Sequence, residues 1–201
     1  RMPVSASDRT ITNGQRTYTA LNPRFVFQTS SAEDAIPKWI KAEAAPLNSD
    51  TGSAVTVSPN DPTRLQVLLS GESAVPGDSG RGRTGNPQKP VAGSQYNVTV
   101  RVTDMYWNLV STAPAAVSLS SATDPYFAFG GAANVTGSKL MSAAFKRANI
   151  SNTMTASAAG FSSDVSTPVY TNPNVPTKLL LLAGGESPDE GNQPMLGKSG
   201  T

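Results

Sequence analysis

The side chains with the clearest chemical potential lie in Asp104-Met105-Tyr106-Trp107-Asn108. A carboxylate and an amide four residues apart present oxygens that could ligate a hard cation. Calcium, however, takes about six to eight oxygens, and only one carboxylate is local. Glu72, Asp78 or Asp124 would have to arrive from distant loops. The competing expectation is a strand–strand corner. There Asp104 and Asn108 cap backbone N–H groups, and Trp107 buries a large apolar surface. On that reading no cofactor is expected, and calcium is the alternative.

Other acids are weaker candidates. Glu33-Asp34 and Asp189-Glu190 are neighbours in polar stretches. Gly80-Arg81-Gly82-Arg83 lacks the Gly-Lys-Ser/Thr ending of a phosphate loop. Asn97, Asn134 and Asn149 each begin an Asn-X-Ser/Thr triplet, a short pattern that carries little weight in a Ser/Thr-rich chain. The 201 residues contain no His and no Cys. That removes Ser–His and Cys–His nucleophile pairs, disulfides, His-ligated metals and cysteine-ligated zinc or iron–sulfur centres. Catalysis would rest on carboxylates, Lys, Tyr and Ser, so no enzyme activity is expected.

Sixteen basic residues face fourteen acidic ones, for a net charge of +2. They are spread along the chain and form no clustered basic face, so no nucleic-acid partner is expected. The longest apolar run, residues 179–183, is strand-sized and far short of the ~18 residues of a membrane span.

The elements that must position these residues show through a repeat. Residues 59–73 (PNDPTRLQVLLSGES) return as residues 173–187 (PNVPTKLLLLAGGES), identical at nine of fifteen positions. At the same offset of 114, Ala42, Ala44 and Ala45 meet Ala156, Ala158 and Ala159, and Ser49-Asp50 meets Ser163-Asp164. Val55 meets Val169 and Gly77 meets Gly191. With one residue slipped, Arg83-Thr84-Gly85 faces Lys198-Ser199-Gly200. The expected organisation is the C-terminal part of one module (1–61), a complete module (62–175), and the first strand and loop of the next (176–201). Glu72 and Glu186 repeat, as do Asp50 and Asp164, whereas Asp189 faces Val75.

Within the unit, Gln95 to Thr103 alternates strictly. Tyr96, Val98, Val100 and Val102 share one face, opposite Asn97, Thr99, Arg101 and Thr103, as in a half-buried strand. Residues 63–69, 116–120, 139–145, 153–158, 168–171 and 177–182 are further strand candidates. The best helical window, 32–45, is interrupted by Pro37. Residues 70–94 carry six Gly and three Pro and show no strand pattern. A long structureless loop needs a reason, and a contact between modules or chains is one. About seven short strands in about 110 residues is the profile of an immunoglobulin-like β-sandwich.

Residues 63–73 with Pro76-Gly77 and Thr84-Gly85, and Val98 to Val110 with its Asp-x-x-Trp-Asn element, resemble bacterial immunoglobulin-like tandem repeats of the filamin-like or invasin-like kind. The resemblance implies all-β modules in tandem, acting as spacers in a large extracellular fibre, sheath or surface stalk at the bacterial surface. Its alternatives are an adhesin that binds glycan or host protein, and accessory modules of a carbohydrate-active enzyme. The implied partners are adjacent modules or other copies of the chain. Glu72, Arg81, Arg83, Leu179, Leu181 and Glu186 are the candidate contact residues. The strand 177–182 is either the start of a following module or a strand lent to a neighbouring copy, which would propagate head to tail.

Overall fold

The computed structural model describes residues 41–42, 48, 50–193 and 197–200. Sixteen strands form among them, and no helix. They are β1 (Lys41–Ala42), β2 (Asp50–Thr51), β3 (Arg64–Leu69), β4 (Glu72–Ala74), β5 (Arg83–Gly85), β6 (Tyr96–Thr103), β7 (Pro114–Ser120) and β8 (Ala128–Phe129). There follow β9 (Ala133–Thr136), β10 (Ser138–Ala144), β11 (Ser151–Asn152), β12 (Thr155–Ser157), β13 (Asp164–Val165), β14 (Val169–Tyr170), β15 (Ser187–Pro188) and β16 (Lys198–Ser199). Two four-stranded antiparallel sheets, ordered β3-β6-β10-β8 and β13-β12-β7-β9, enclose one apolar core. Four two-stranded ribbons accompany them, and the arrangement is consistent with a β-sandwich.

The core follows from strand periodicity. On β7, Ala115, Val117 and Leu119 are buried and their neighbours exposed. On β6, Tyr96, Val98, Val100 and Val102 enter the core as the alternation requires. Phe145 fills its middle beside Tyr96 and Phe127, at ring-centroid distances of 6.5 and 5.3 Å. Arg101 and Thr103 depart from the expected outward face and are buried. The ribbon β4–β5 lies over this part of the sheet. Gln66, also fully buried, donates from Nε2 to the Gly82 carbonyl at 2.6 Å. It accepts from Arg101 Nη1 at 2.7 Å. Covering both faces explains why β3 is buried from Leu65 to Leu69 without alternation.

The stretch 70–94, expected as a loop, therefore contains the ribbon β4–β5. The helical window 32–45 lies outside the described residues except at Lys41–Ala42, which is strand. Residues 177–182, expected as a strand, belong to no strand. Leu179 is fully exposed and Leu181 85% exposed, whereas their repeat partners Leu65 and Val67 are 0% exposed.

Candidate functional site: a polar corner and a repeated ribbon

Asp104 follows the last residue of β6 and organises a five-residue corner. Its Oδ1 accepts from the Tyr106 amide at 2.8 Å and the Asn108 amide at 3.0 Å. Its Oδ2 accepts from Asn108 Nδ2 at 2.9 Å and from the Asn60 amide at 3.0 Å. A carboxylate ringed by four N–H groups has the environment of an anion cap. A cation shell would surround it with oxygens. Among the described residues no group of three or more His, Cys, Asp or Glu side chains is placed to hold a metal ion.

The corner forces Trp107 to φ 66°, an unfavourable backbone for a bulky L-residue. Its surroundings over-determine it. The indole Nε1 donates to the Gly80 carbonyl at 3.0 Å, and the Arg64 guanidinium stacks 4.6 Å from the ring centroid. Gly82, at φ 67°, lies against the ring, where a Cβ would sit 2.2 Å from Cγ. Trp107 thus fastens the β4–β5 ribbon to the sandwich.

Arg83 and Asp164 form a buried ion pair across 81 residues of sequence. Asp164 Oδ2 also accepts from the Val67 amide at 2.7 Å, and Arg83 Nη1 donates to the Val67 carbonyl at 2.6 Å. Burial pushes the Asp164 carboxyl above its usual range, opposed by the Val67 amide and Arg83. Arg81 donates to the Val165 carbonyl at 3.0 Å. Glu72 accepts from the Leu69 amide at 2.8 Å and from Thr167 Oγ1 at 2.5 Å. These candidate contact residues therefore join the two ends of one sandwich. Asp124, named from the sequence only as a distant oxygen for a calcium site, is instead a buried cap that accepts from the amides of Tyr126, Lys146 and Arg147. Its only sequence signal is an Asp-Pro turn.

The ribbon β15–β16 repeats β4–β5. Ser73↔Thr84 and Ala74↔Arg83 pair in the first, and Ser187↔Ser199 and Pro188↔Lys198 in the second. Glu186 accepts from the Ala183 amide at 2.7 Å, as Glu72 does from Leu69. The turn bonds match too: Val75 N to Gly82 O at 2.6 Å, and Asp189 N to Gly197 O at 2.8 Å. Gly71 and Gly185 have φ 94° and 93°. A Cβ on Gly85 would meet the Gly71 carbonyl at 2.5 Å, and one on Gly200 the Gly185 carbonyl at 2.4 Å, so both ribbon ends require glycine. The pair β1–β2 has the register of β12–β13 at the same offset: Lys41↔Thr51 and Ala42↔Asp50 against Thr155↔Val165 and Ala156↔Asp164.

The second ribbon differs in what it touches. Lys198 pairs with Glu186 at 2.7 Å, and the Ala183 amide, then Lys198, hold the Glu186 carboxyl below its ordinary range. Tyr126 of the sandwich donates its hydroxyl to Asp189 at 2.5 Å, and Asn192 Nδ2 donates to the same oxygen at 2.9 Å. These bonds lower the Asp189 carboxyl. No protein-family model matches the chain, and no curated protein matches it.

Proposed function

We propose that the chain is a length of tandem immunoglobulin-like β-sandwich modules with a 114-residue period. It serves as a structural spacer in an extracellular bacterial fibre, sheath or surface stalk. One observation carries the reading. Two separate strand pairs recur with the sequence repeat: β1–β2 and β12–β13 share one register at the offset of 114, and β4–β5 and β15–β16 share theirs once the single extra residue in the turn of the second ribbon is counted. A shared register is a demanding coincidence, because a one-residue slip inverts every side chain.

The leucines of 179–182 add to it. They align with β3 at the repeat offset but are exposed where β3 is buried, as this reading expects of a first strand without its partner strands. The acids support a structural task. Asp104, Asp124, Asp164 and Glu72 are each engaged by N–H or O–H donors that hold the fold. Proline follows both Asp61 and Val175. It fixes its own φ and restricts the residue before it, which limits bending between modules.

The test is immunolabelling of intact source cells with an antibody raised against residues 62–175. Label on the outside of unpermeabilised cells, retained in a sheared surface fraction, is the expected outcome. Label only after permeabilisation would overturn the extracellular assignment.

A further inference from the structure

We infer that the sandwich is a tension-bearing element whose breaking point is a parallel polar seam between its first and last segments. The inference rests on the tandem reading in one respect: neighbours must pull on both ends. One edge of β3 is taken by β6, antiparallel. The other faces residues 162–167, which run in the same direction, with a parallel bridge between Arg64 and Ser162.

Bonds cross that seam along its length. The Ser162 amide donates to the Thr63 carbonyl at 2.9 Å, and the Leu65 amide to the Ser162 carbonyl at 3.0 Å. One step on, a side chain replaces the backbone acceptor: the Val67 amide donates to Asp164 at 2.7 Å. Arg83 grips the same carboxylate and the Val67 carbonyl, so both sides of the seam share one buried ion pair. Beyond it, Arg81 reaches the Val165 carbonyl and Thr167 reaches Glu72. The pattern resumes where the chain leaves. Val91 and Asn172 form a second parallel bridge, with Ala92 N to Asn172 O at 2.9 Å and Asn172 N to Pro90 O at 2.8 Å.

The chain enters beside the Thr63–Ser162 end and leaves beyond Asn172. Tension between residues 61 and 175 therefore slides two parallel segments past each other and loads these bonds together. Had the segments run antiparallel, the same pull would open them one bond at a time. The buried charged bonds at Asp164 are the strongest in the set, and they sit in the middle of the seam.

Force spectroscopy on the 201-residue chain tests this. With no native Cys, introduced cysteines are unique handles. Asp61→Cys with Val175→Cys applies the shear axis. Asp61→Cys with Ala159→Cys places both handles near the Thr63–Ser162 end and peels the seam. Survival under constant force is set by the unfolding rate. The shear axis is expected to hold about tenfold longer or more at equal force, the factor that one charged hydrogen bond supplies. Asp164→Ala is expected to remove most of that advantage and to leave the peeling axis nearly unchanged. Arg83→Met makes the same test from the other partner should Asp164→Ala not fold. Equal lifetimes on both axes, or equal losses on both in the variants, overturn the inference. Neither result touches the spacer reading, since a spacer that never bears load is still a spacer. Failure of the immunolabelling would leave the axis difference intact.

Discussion

Replacing Asp104 by alanine tests the corner and its purpose together. Four N–H groups converge on the carboxylate. Hydrogen bonds to a charged group contribute about 1.5–3 kcal/mol each, and neighbours in one network do not add. The Asn60 and Tyr106 amides lie near the surface and can turn to water. Both Asn108 donors are buried and cannot. Counting only those two gives a loss of about 3 kcal/mol, and no more than about 6 kcal/mol, for Asp104→Ala. Asp104→Asn keeps one acceptor oxygen but sets an amide group against N–H donors, so a loss of about half that size is expected. The assay is urea unfolding followed by tryptophan fluorescence and circular dichroism, with an unchanged m-value showing that stability alone moved. A loss under about 1 kcal/mol for Asp104→Ala would refute the capping argument. So would stabilisation of the native protein by calcium. A bound ion at a hundred times its Kd would add about 2.7 kcal/mol, and this account expects no shift between calcium and chelator.

Other outcomes follow from the same contacts. Gly82→Ala must push Trp107 away and accept φ 67°. A loss above about 2 kcal/mol and a red-shifted tryptophan emission are expected. Phe145→Ala, at the centre of the core, is expected to cost about 3–5 kcal/mol in the same urea assay. Leu181→Lys should leave the midpoint unchanged, while Val67→Lys, at the equivalent buried position, should prevent folding. Tyr96 is pushed up to about 12, by burial first and the Glu72 charge second. Because the folded state holds this proton more tightly, its contribution is complete below about pH 10. It is lost as pH rises from there towards 12. Tyr96→Phe should flatten that alkaline fall in urea midpoint.

The sequence made the strands legible where one face meets water. Tyr96 to Val102 and Ala115 to Leu119 alternate because one side enters the core, and residues 116–120 and 139–145 fall within a few residues of β7 and β10. Legibility failed where a second layer covers the sheet. Arg101 and Gln66 look outward-facing by periodicity, yet the β4–β5 ribbon buries them as a pair. That ribbon was itself hidden. It is three residues per strand, held by Gly71 and Gly85 at positive φ and by Trp107, not by apolar alternation. The Asp104 corner was visible as a motif. Its αL tryptophan was not, since only a glycine 25 residues earlier makes room for the ring. The Arg83–Asp164 pair joins residues 81 apart, and no local pattern could announce it. What the sequence did offer was the repeat of Asp50 and Asp164, now attached to equivalent places in two matching strand pairs.

The central claim is that a 114-residue unit recurs along one polypeptide. Its most direct test is the mass of the intact native protein, detected on a denaturing gel with an antibody against residues 62–175, before and after limited proteolysis. The account predicts a band far above 20.8 kDa. Cleavage at the exposed junctions should reduce it to a ladder with steps of about 12 kDa, the mass of 114 residues at this composition. A single species at 20.8 kDa, with no larger form and no ladder, would contradict it.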